Sequence, residues 1–484
     1  MSGVPDILQD IAAARSARVV RDGAAQGLKL PAERAAPSAA FHGPSTAGVE
    51  VLIAEIKRRS PSKGDIAAIP EPEALARRYR NAGFRRVSVL TEEARFGGSL
   101  ADLMAVKEAC PDLAVLRKDF LLSVEDVEVS HRAGADAILL IAALLDAPMI
   151  EAMHRRAGEL GLASLVEVHG ADDVAKVRPL RPPLVGINSR DLRKFRIDPL
   201  KPLETRSLLD WPCDVVYESG IAGPDDVLFV RGAGFSGFLV GESVARDPEL
   251  APRLVKAWSD EETAAFRYGA WDRLYRRHRD GAPLVKICGI TNRDDAETAV
   301  DAGADMLGFV MAESPRRTDA AFIRSCADLP VLKAAVVVLG RDEDLPPELA
   351  ELVVEGAVDF IQFHGDETAG TVRSWPSYKA IRMRRAADAE ALDSAGSPGV
   401  LVDAFSEGAR GGTGRRLAPE LLDAAAEHRR PWIAGGLNPD NAADIVARWK
   451  PGLVDVSSGV ESAPGRKDPE ALRRFVRRAK GAKT

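Results

Sequence analysis

Short runs of apolar and β-branched residues recur along the chain. Each is closed by a glycine or polar turn and followed by apolar positions at helical spacing. In the first half the runs are VLIAEIK (51–57), VSVLTE (87–92), AVLRKDF (114–120), AILLIAA (137–143), SLVEVH (164–169), LVGINSRDL (184–192), DVVYESG (214–220) and GFLVGES (237–243). Between them, segments such as PEALARRYRNAG and APMIEAMHRRAGELG predict helices that end at glycine. The second half repeats the beat with LVKICGI (284–290), MLGFVMAES (306–314), KAAVVVL (333–339) and FIQFHG (360–365). YKAIRM (378–383), GVLVDAF (399–405), PWIAGGL (431–437) and LVDVSSG (453–459) complete it. Strands that alternate with helices pair in parallel through right-handed crossovers. Eight in each half predict an α/β chain of two tandem (β/α)8 barrels. Two open doubly wound sheets fit the alternation as well, although such sheets usually hold fewer strands.

Residues 259–282, SDEETAAFRYGAWDRLYRRHRDGA, are densely charged and carry no strand signal. They predict a short, mainly helical connector between a first barrel at 1–258 and a second at 283–484. A helical stretch, DILQDIAAARSARVV, precedes the first strand and is expected to cap one end of the first barrel. The chain of 484 residues exceeds what one core usually supports, in keeping with two domains.

Composition removes several function classes. The net charge of -6 arises from well-mixed charges, and only 5% of residues are aromatic. That leaves neither a polyanion-binding surface nor base-stacking platforms, so nucleic acid is not expected as a partner. Cys110, Cys213, Cys288 and Cys326 are widely spaced and form no CxxC pair. No disulfide framework and no metal site are expected, and a reducing cytoplasm fits. The N-terminal stretch carries acidic residues and no unbroken apolar core, unlike a signal peptide. The longest apolar run, AILLIAALL, falls far short of the roughly 20 residues that span a bilayer, so no membrane association is expected. Neither GxxxxGK[ST] nor GxGxxG follows a first strand, and no cofactor is expected.

In a barrel of this type the C-terminal ends of the strands face the active site. There the first half carries Glu55 with Lys57, Lys118, Glu167, Asn188 with Arg190, and Glu218 with Ser219. Charge in a strand interior is costly, so its recurrence on five of eight strand ends exceeds what packing demands. The last two strands end in ESGIAG and VGES, whose glycines let backbone N–H groups converge on an anion. The second half ends alike, in AGGLNPDN and VSSGVES, making Gly435, Gly436, Ser458 and Gly459 a second candidate phosphate cradle. Its other strand-end groups are Cys288, Arg316, Gln362 with His364, Arg382 and Asp403. Cys288 also reads as a small buried hydrophobe, and Asp403 as a turn former before GARGGTG. Set on strands one and six, however, a thiol and a carboxylate can face each other across one mouth as base and acid.

AEIKRRSPSKG, SVLTEEARFGGSL, VLRKDF, GADAILLI, LVEVH, GINSRDL, ESGI and LVGES together resemble indole-3-glycerol-phosphate synthase over roughly 5–258. VKICGIT, GFVMAESPR, IQFHGDE, VDAFSEGARGGTG, AGGLNPDN and VDVSSGVES resemble phosphoribosylanthranilate isomerase over roughly 283–480, in the order of bacterial fusions. The resemblance implies consecutive steps of tryptophan biosynthesis on small phosphorylated anthranilate substrates. It makes Lys118 the general acid, Glu167 the general base, and Lys57 a positioning lysine with its own claim to be the acid. Glu55, Asn188 and Glu218 then orient the reacting carbons. Arg190 and Lys57 hold the anthranilate carboxylate, Pro61, Phe96 and Phe120 line its ring pocket, and Ser60, Ser219, Gly220, Gly241 and Glu242 bind phosphate. In the second half Cys288 matches the general base, Asp403 the general acid and Arg316 a substrate-binding arginine. A monomer is expected, since fusion already pairs two barrels.

Departures are few: Ser189 where asparagine is usual, Tyr217 where a small residue is common, Phe363 in place of leucine. Barrels acting on other sugar phosphates, such as histidine-pathway intermediates, would place aspartates on strands one and five. Lys57 or Cys288 and Glu167 or Arg382 stand there instead. A catalytically silent barrel would have lost Lys118, Glu167, Cys288 or Asp403, and all four are present.

Overall fold

The computed structural model describes residues 7–42, 50–60, 64–191, 196–277, 281–341, 343–404 and 416–481. The chain forms two compact units, Met1–Glu261 and Glu262–Thr484. In the first, β1 (Val51–Ile56), β2 (Arg86–Leu90), β3 (Ala114–Lys118), β4 (Ala137–Ile141), β5 (Ala163–Val168), β6 (Leu184–Asn188), β7 (Asp214–Glu218) and β8 (Gly237–Val240) close into a parallel barrel. In the second, β9 (Leu284–Cys288), β10 (Met306–Val310), β11 (Leu332–Val337), β12 (Phe360–Phe363), β13 (Ser377–Met383), β14 (Val400–Ala404), β15 (Trp432–Ile433) and β16 (Leu453–Val456) do the same. The open-sheet alternative is therefore excluded. An antiparallel hairpin, β17 (Glu461–Ala463) and β18 (Arg466–Lys467), follows the last barrel strand.

The two-residue period of a strand explains how the sites are placed. Val51, Ile53, Leu116, Leu139, Leu165, Val216 and Leu239 pack in one buried cluster inside the first barrel. One further step along the same faces brings Glu55, Lys118, Glu167 and Glu218 to the C-terminal mouth. The N-terminal helix (Ile7–Asp22) also contributes there, because Ile11 joins the interior cluster. Arg15 on that helix makes a buried ion pair of 2.7 Å with Asp126. At the other end Phe41 joins the cluster, and its carbonyl accepts Arg86 Nε at the start of β2.

In the second unit Val285, Ile287, Ile361, Phe363, Val400, Val402, Val454 and Val456 belong to the apolar layer beneath the helices. The alternate positions, Lys286, Cys288, Gln362, Asp403 and Asp455, therefore point into the barrel. The sequence places a connector at 259–282. The structure forms a helix over Glu261–Tyr275, and Trp271 from it is fully buried. Its ring lies 5.1 Å from Phe360 and 5.5 Å from Trp432, residues that begin β12 and β15. The helix thus floors the second barrel with an aromatic plug. Trp271→Ala is expected to cost about 3–5 kcal/mol, the usual range for deleting a buried aromatic. A fragment beginning at 283 should accordingly melt below one beginning at 262. Equal thermal midpoints for the two fragments would rule out this role for Trp271.

Candidate active sites

A cavity of about 840 Å³ opens at the mouth of the first barrel. Glu55, Lys57, Ser60, Phe96, Lys118, Phe120, Glu167, Asn188, Arg190, Ser219, Gly220, Gly241 and Glu242 all line it. Glu218 lies just beneath, its Oε2 accepting from Lys118 Nζ at 2.9 Å. Pro61 lies outside the described residues. The Phe96 and Phe120 rings stand 6.1 Å apart, leaving an apolar flank beside the charged floor. Glycine makes room for two of the carboxylates. A Cβ at Gly186 would fall 2.0 Å from Glu218 Oε1, and one at Gly241 would fall 2.6 Å from Glu55 Oε1. After β7, Ser219 and Gly220 both take left-handed backbone angles (φ 71° and 85°). For serine this conformation is unfavourable by about 1–2 kcal/mol, a strain that clusters where backbone is shaped for a ligand.

The charges form a tight lattice. Lys57 Nζ lies 2.7 Å from Glu55 Oε1, and Lys118 Nζ 3.5 Å from Glu55 Oε2. Burial disfavours the Lys118 ammonium, but Glu218, Glu55 and Glu167 outweigh it and keep the lysine protonated. Burial also pushes Glu218 up, Lys118 opposes it, and the neighbouring Glu167 helps leave it at about 7. For Glu167 burial is outweighed by His169 and Lys118, so its carboxylate stays ionised. A carboxylate ready to accept a proton and an ammonium ready to donate one thus face the same cavity.

In the second barrel a cavity of about 940 Å³ is lined by Cys288, Arg316, Gln362, His364, Asp403, Gly435, Gly436, Ser458 and Gly459, whereas Arg382 is not among its lining residues. The loop GARGGTG lies outside the described residues. Along the cavity floor a polar chain crosses the barrel. Lys286 Nζ donates to Asp455 Oδ2 at 2.7 Å and to Gln362 Oε1 at 2.8 Å. Gln362 Nε2 lies 3.3 Å from His364 Nδ1, and His364 Nε2 lies 3.5 Å from Asp403 Oδ2. Burial pushes the Asp403 carboxyl up to about 6, with the nearby Asp455 adding to the shift. Burial raises the Cys288 thiol as well, against the pull of Lys286. In this state the thiol is mainly protonated, whereas a cysteine that acts as a base does so as the thiolate. The physical reason is the loss of hydration around the sulfur. Gly308 on β10 admits this pair of side chains, since a Cβ there would fall 2.7 Å from Cys288 Sγ and 2.9 Å from Lys286 Cε.

Sequence reasoning missed Lys286 and Asp455, each two residues before a mouth residue on an otherwise apolar strand. A charge at such a position was the available signal. It also missed His169, 3.2 Å from Glu167 Oε1 and 3.5 Å from Asp173 Oδ2. Leu8 and Ile11 of the N-terminal helix line the first cavity too, and only the fold brings them there.

Two closed barrels in tandem, each with acid and base groups around one mouth and glycine turns after the last strands, define the class of fold. Comparison with known proteins gives the family. The indole-3-glycerol phosphate synthase model matches residues 8–256, and the N-(5'-phosphoribosyl)anthranilate isomerase model matches residues 285–478. The chain belongs to the indole-3-glycerol phosphate synthase family, with a phosphoribosylanthranilate isomerase domain fused behind it. It is 47% identical to an indole-3-glycerol phosphate synthase from Nocardioides sp., over 42% of this chain and 78% of that protein. It is 32% identical to a multifunctional tryptophan biosynthesis protein of Phycomyces blakesleeanus over 89% of this chain, and spans 62% of that relative's length. Among solved structures, phosphoribosyl anthranilate isomerase from Thermotoga maritima shares 32% identity over 41% of this chain and 99% of its own, with a TM-score of 0.37. Among the described residues no helix is long and apolar enough to cross a membrane.

Proposed function

We propose that the chain catalyses two consecutive steps of tryptophan biosynthesis. The second barrel isomerises N-(5-phosphoribosyl)anthranilate to 1-(2-carboxyphenylamino)-1-deoxyribulose 5-phosphate. The first barrel cyclises, decarboxylates and dehydrates that product to indole-3-glycerol phosphate. The observation that carries the reading is the meeting of Cys288, Asp403 and two glycine turns in one cavity of the second unit. Asp403, with its raised carboxyl, donates a proton to the ribose ring oxygen and opens the ring to a Schiff base. The Cys288 thiolate removes the C2′ proton to give an enolamine, which tautomerises to the ketone. Gly435, Gly436, Ser458 and Gly459 hold the phosphate through backbone N–H groups.

In the first barrel Lys118 protonates the developing alkoxide when the aromatic carbon attacks the C2′ ketone. Carbon dioxide then leaves, and Glu167 takes the proton whose loss accompanies elimination of water. Glu55, Asn188 and Glu218 orient the reacting carbons, Lys57 and Arg190 hold the carboxylate, and Phe96 and Phe120 flank the ring. Ser60, Ser219, Gly220, Gly241 and Glu242 hold the phosphate. We place the enzyme in the cytoplasm, a reading supported by four free cysteines, and as a monomer, since one chain already joins two barrels.

The test is to supply the purified chain with each substrate separately and follow each product. The isomerase kcat/KM should be bell-shaped in pH. An acid with its midpoint near 6 and a base above the ordinary thiol value of about 8.5 give limbs on both sides of neutrality. The active form needs Asp403 protonated and Cys288 ionised at once, so it is a minor species at every pH. A profile that keeps rising through pH 9 contradicts the requirement for a protonated Asp403.

A further inference from the structure

Arg316 is the one arginine or lysine among the described residues lining the second cavity. It is already engaged. Its Nε lies 2.8 Å from Glu461 Oε1 and 3.1 Å from Oε2, and its Nη2 lies 2.8 Å from Oε2. Nη1 is the guanidinium nitrogen that Glu461 leaves unengaged. Glu461 is itself held, because its Oε1 accepts from Lys467 Nζ at 2.8 Å. Lys467 also donates to the carbonyls of Cys288 at 2.6 Å and Ser457 at 3.2 Å. Glu461 and Lys467 lie on β17 and β18, so the hairpin outside the barrel repeat carries both supporting charges.

We propose that Glu461, braced by Lys467, is a positioning residue that aims Arg316 at the substrate carboxylate and thereby sets the specificity of the isomerase site. The inference rests on the isomerase reading given above. The substrate has two anionic ends. The glycine turns after β15 and β16 take the phosphate, which leaves Arg316 for the carboxylate. Two cations and one carboxylate leave the triad with a single net positive charge, matched to one substrate carboxylate. The side chains of Glu461 and Lys467 are almost fully buried, at 4% and 0% exposure. Packing alone favours apolar residues in such a place, since burying a charged triad is costly. Gly289 supports the same reading, because a Cβ there would fall 2.7 Å from Arg316 Cδ and close the space the arginine uses. The bidentate grip fixes the plane of the guanidinium before substrate arrives, so less side-chain freedom is lost on binding.

The experiment compares phosphoribosylanthranilate with phosphoribosylaniline, which lacks the carboxylate, in the unchanged chain and in Glu461→Gln. The expected result is a KM for the carboxylated substrate raised roughly tenfold or more, with kcat within about threefold. The KM for phosphoribosylaniline should stay put, so that discrimination between the two collapses. Should Glu461→Gln fail to fold because Lys467 is left unbalanced, Glu461→Gln combined with Lys467→Met carries the same comparison. A ratio of the two KM values equal to that of the unchanged chain overturns the proposal. An unchanged chain that turns over neither compound overturns the isomerase reading and the proposal with it.

Discussion

Cys288→Ala should abolish isomerisation while leaving the turnover of added carboxyphenylamino-deoxyribulose phosphate by the first barrel near normal. The expected loss is about a hundredfold to ten-thousandfold, the scale of removing a general base. Cys288 lines only the second cavity, and the two cavities belong to separate compact units. The substitution removes a buried sulfur and no ion pair, so the unit should stay folded. Asp403→Asn should lose isomerisation to a similar degree. Its shape is kept and the contact of Oδ1 with the Ala404 N–H, 2.7 Å now, can be retained, while the proton to donate is gone. Both variants should keep near-parental melting midpoints. A folded Cys288→Ala protein that loses the synthase activity as well would contradict two independent sites. One that keeps more than about a tenth of its isomerase rate would remove Cys288 as the base.

The barrels were legible because their signal is repetitive: a strand of five or so residues, a turn, a helix. The mouth residues were legible for the same reason. Glu55, Lys118, Glu167, Cys288 and Asp403 each interrupt an apolar alternation at its C-terminal end, where a purely structural strand has no use for charge. Other features depend on contacts between segments far apart in sequence. Trp271 reads as one aromatic in a charged helix until the fold sets it against Phe360 and Trp432. Glu461 and Lys467 follow the last barrel strand, where no periodicity marks them, and only the hairpin brings them to Arg316. The state of the Cys288 thiol was likewise hidden, because burial and the distance to Lys286 decide it.

Lys118→Ala and Glu167→Gln are each expected to lower the synthase turnover number by roughly a hundredfold or more. The loss should fall on kcat more than on KM, because the glycine turns and Arg190, proposed to bind the two ends of the substrate, stay in place. Lys57→Ala should differ. Lys57 pairs with Glu55 at 2.7 Å and is proposed to hold the substrate carboxylate, so its loss should raise KM as well. Removing Lys118 also leaves Glu218 buried without its ammonium partner and Glu55 with Lys57 alone, so its melting midpoint must be followed alongside activity. The pH profile separates the roles. Lys118 is held protonated by three carboxylates, so it does not set an alkaline limb near neutrality in the free enzyme. Glu167 stays ionised well below neutral pH, whereas Glu218 takes up a proton near 7 and then loosens its hold on Lys118. Synthase activity should therefore fall as the pH drops through about 7, and that limb should vanish in Glu218→Gln, whatever its absolute rate. A folded Lys118→Ala enzyme with near-normal turnover and only a raised KM would reverse the assignment. Lys57, the other ammonium within reach of Glu55, would then be the acid.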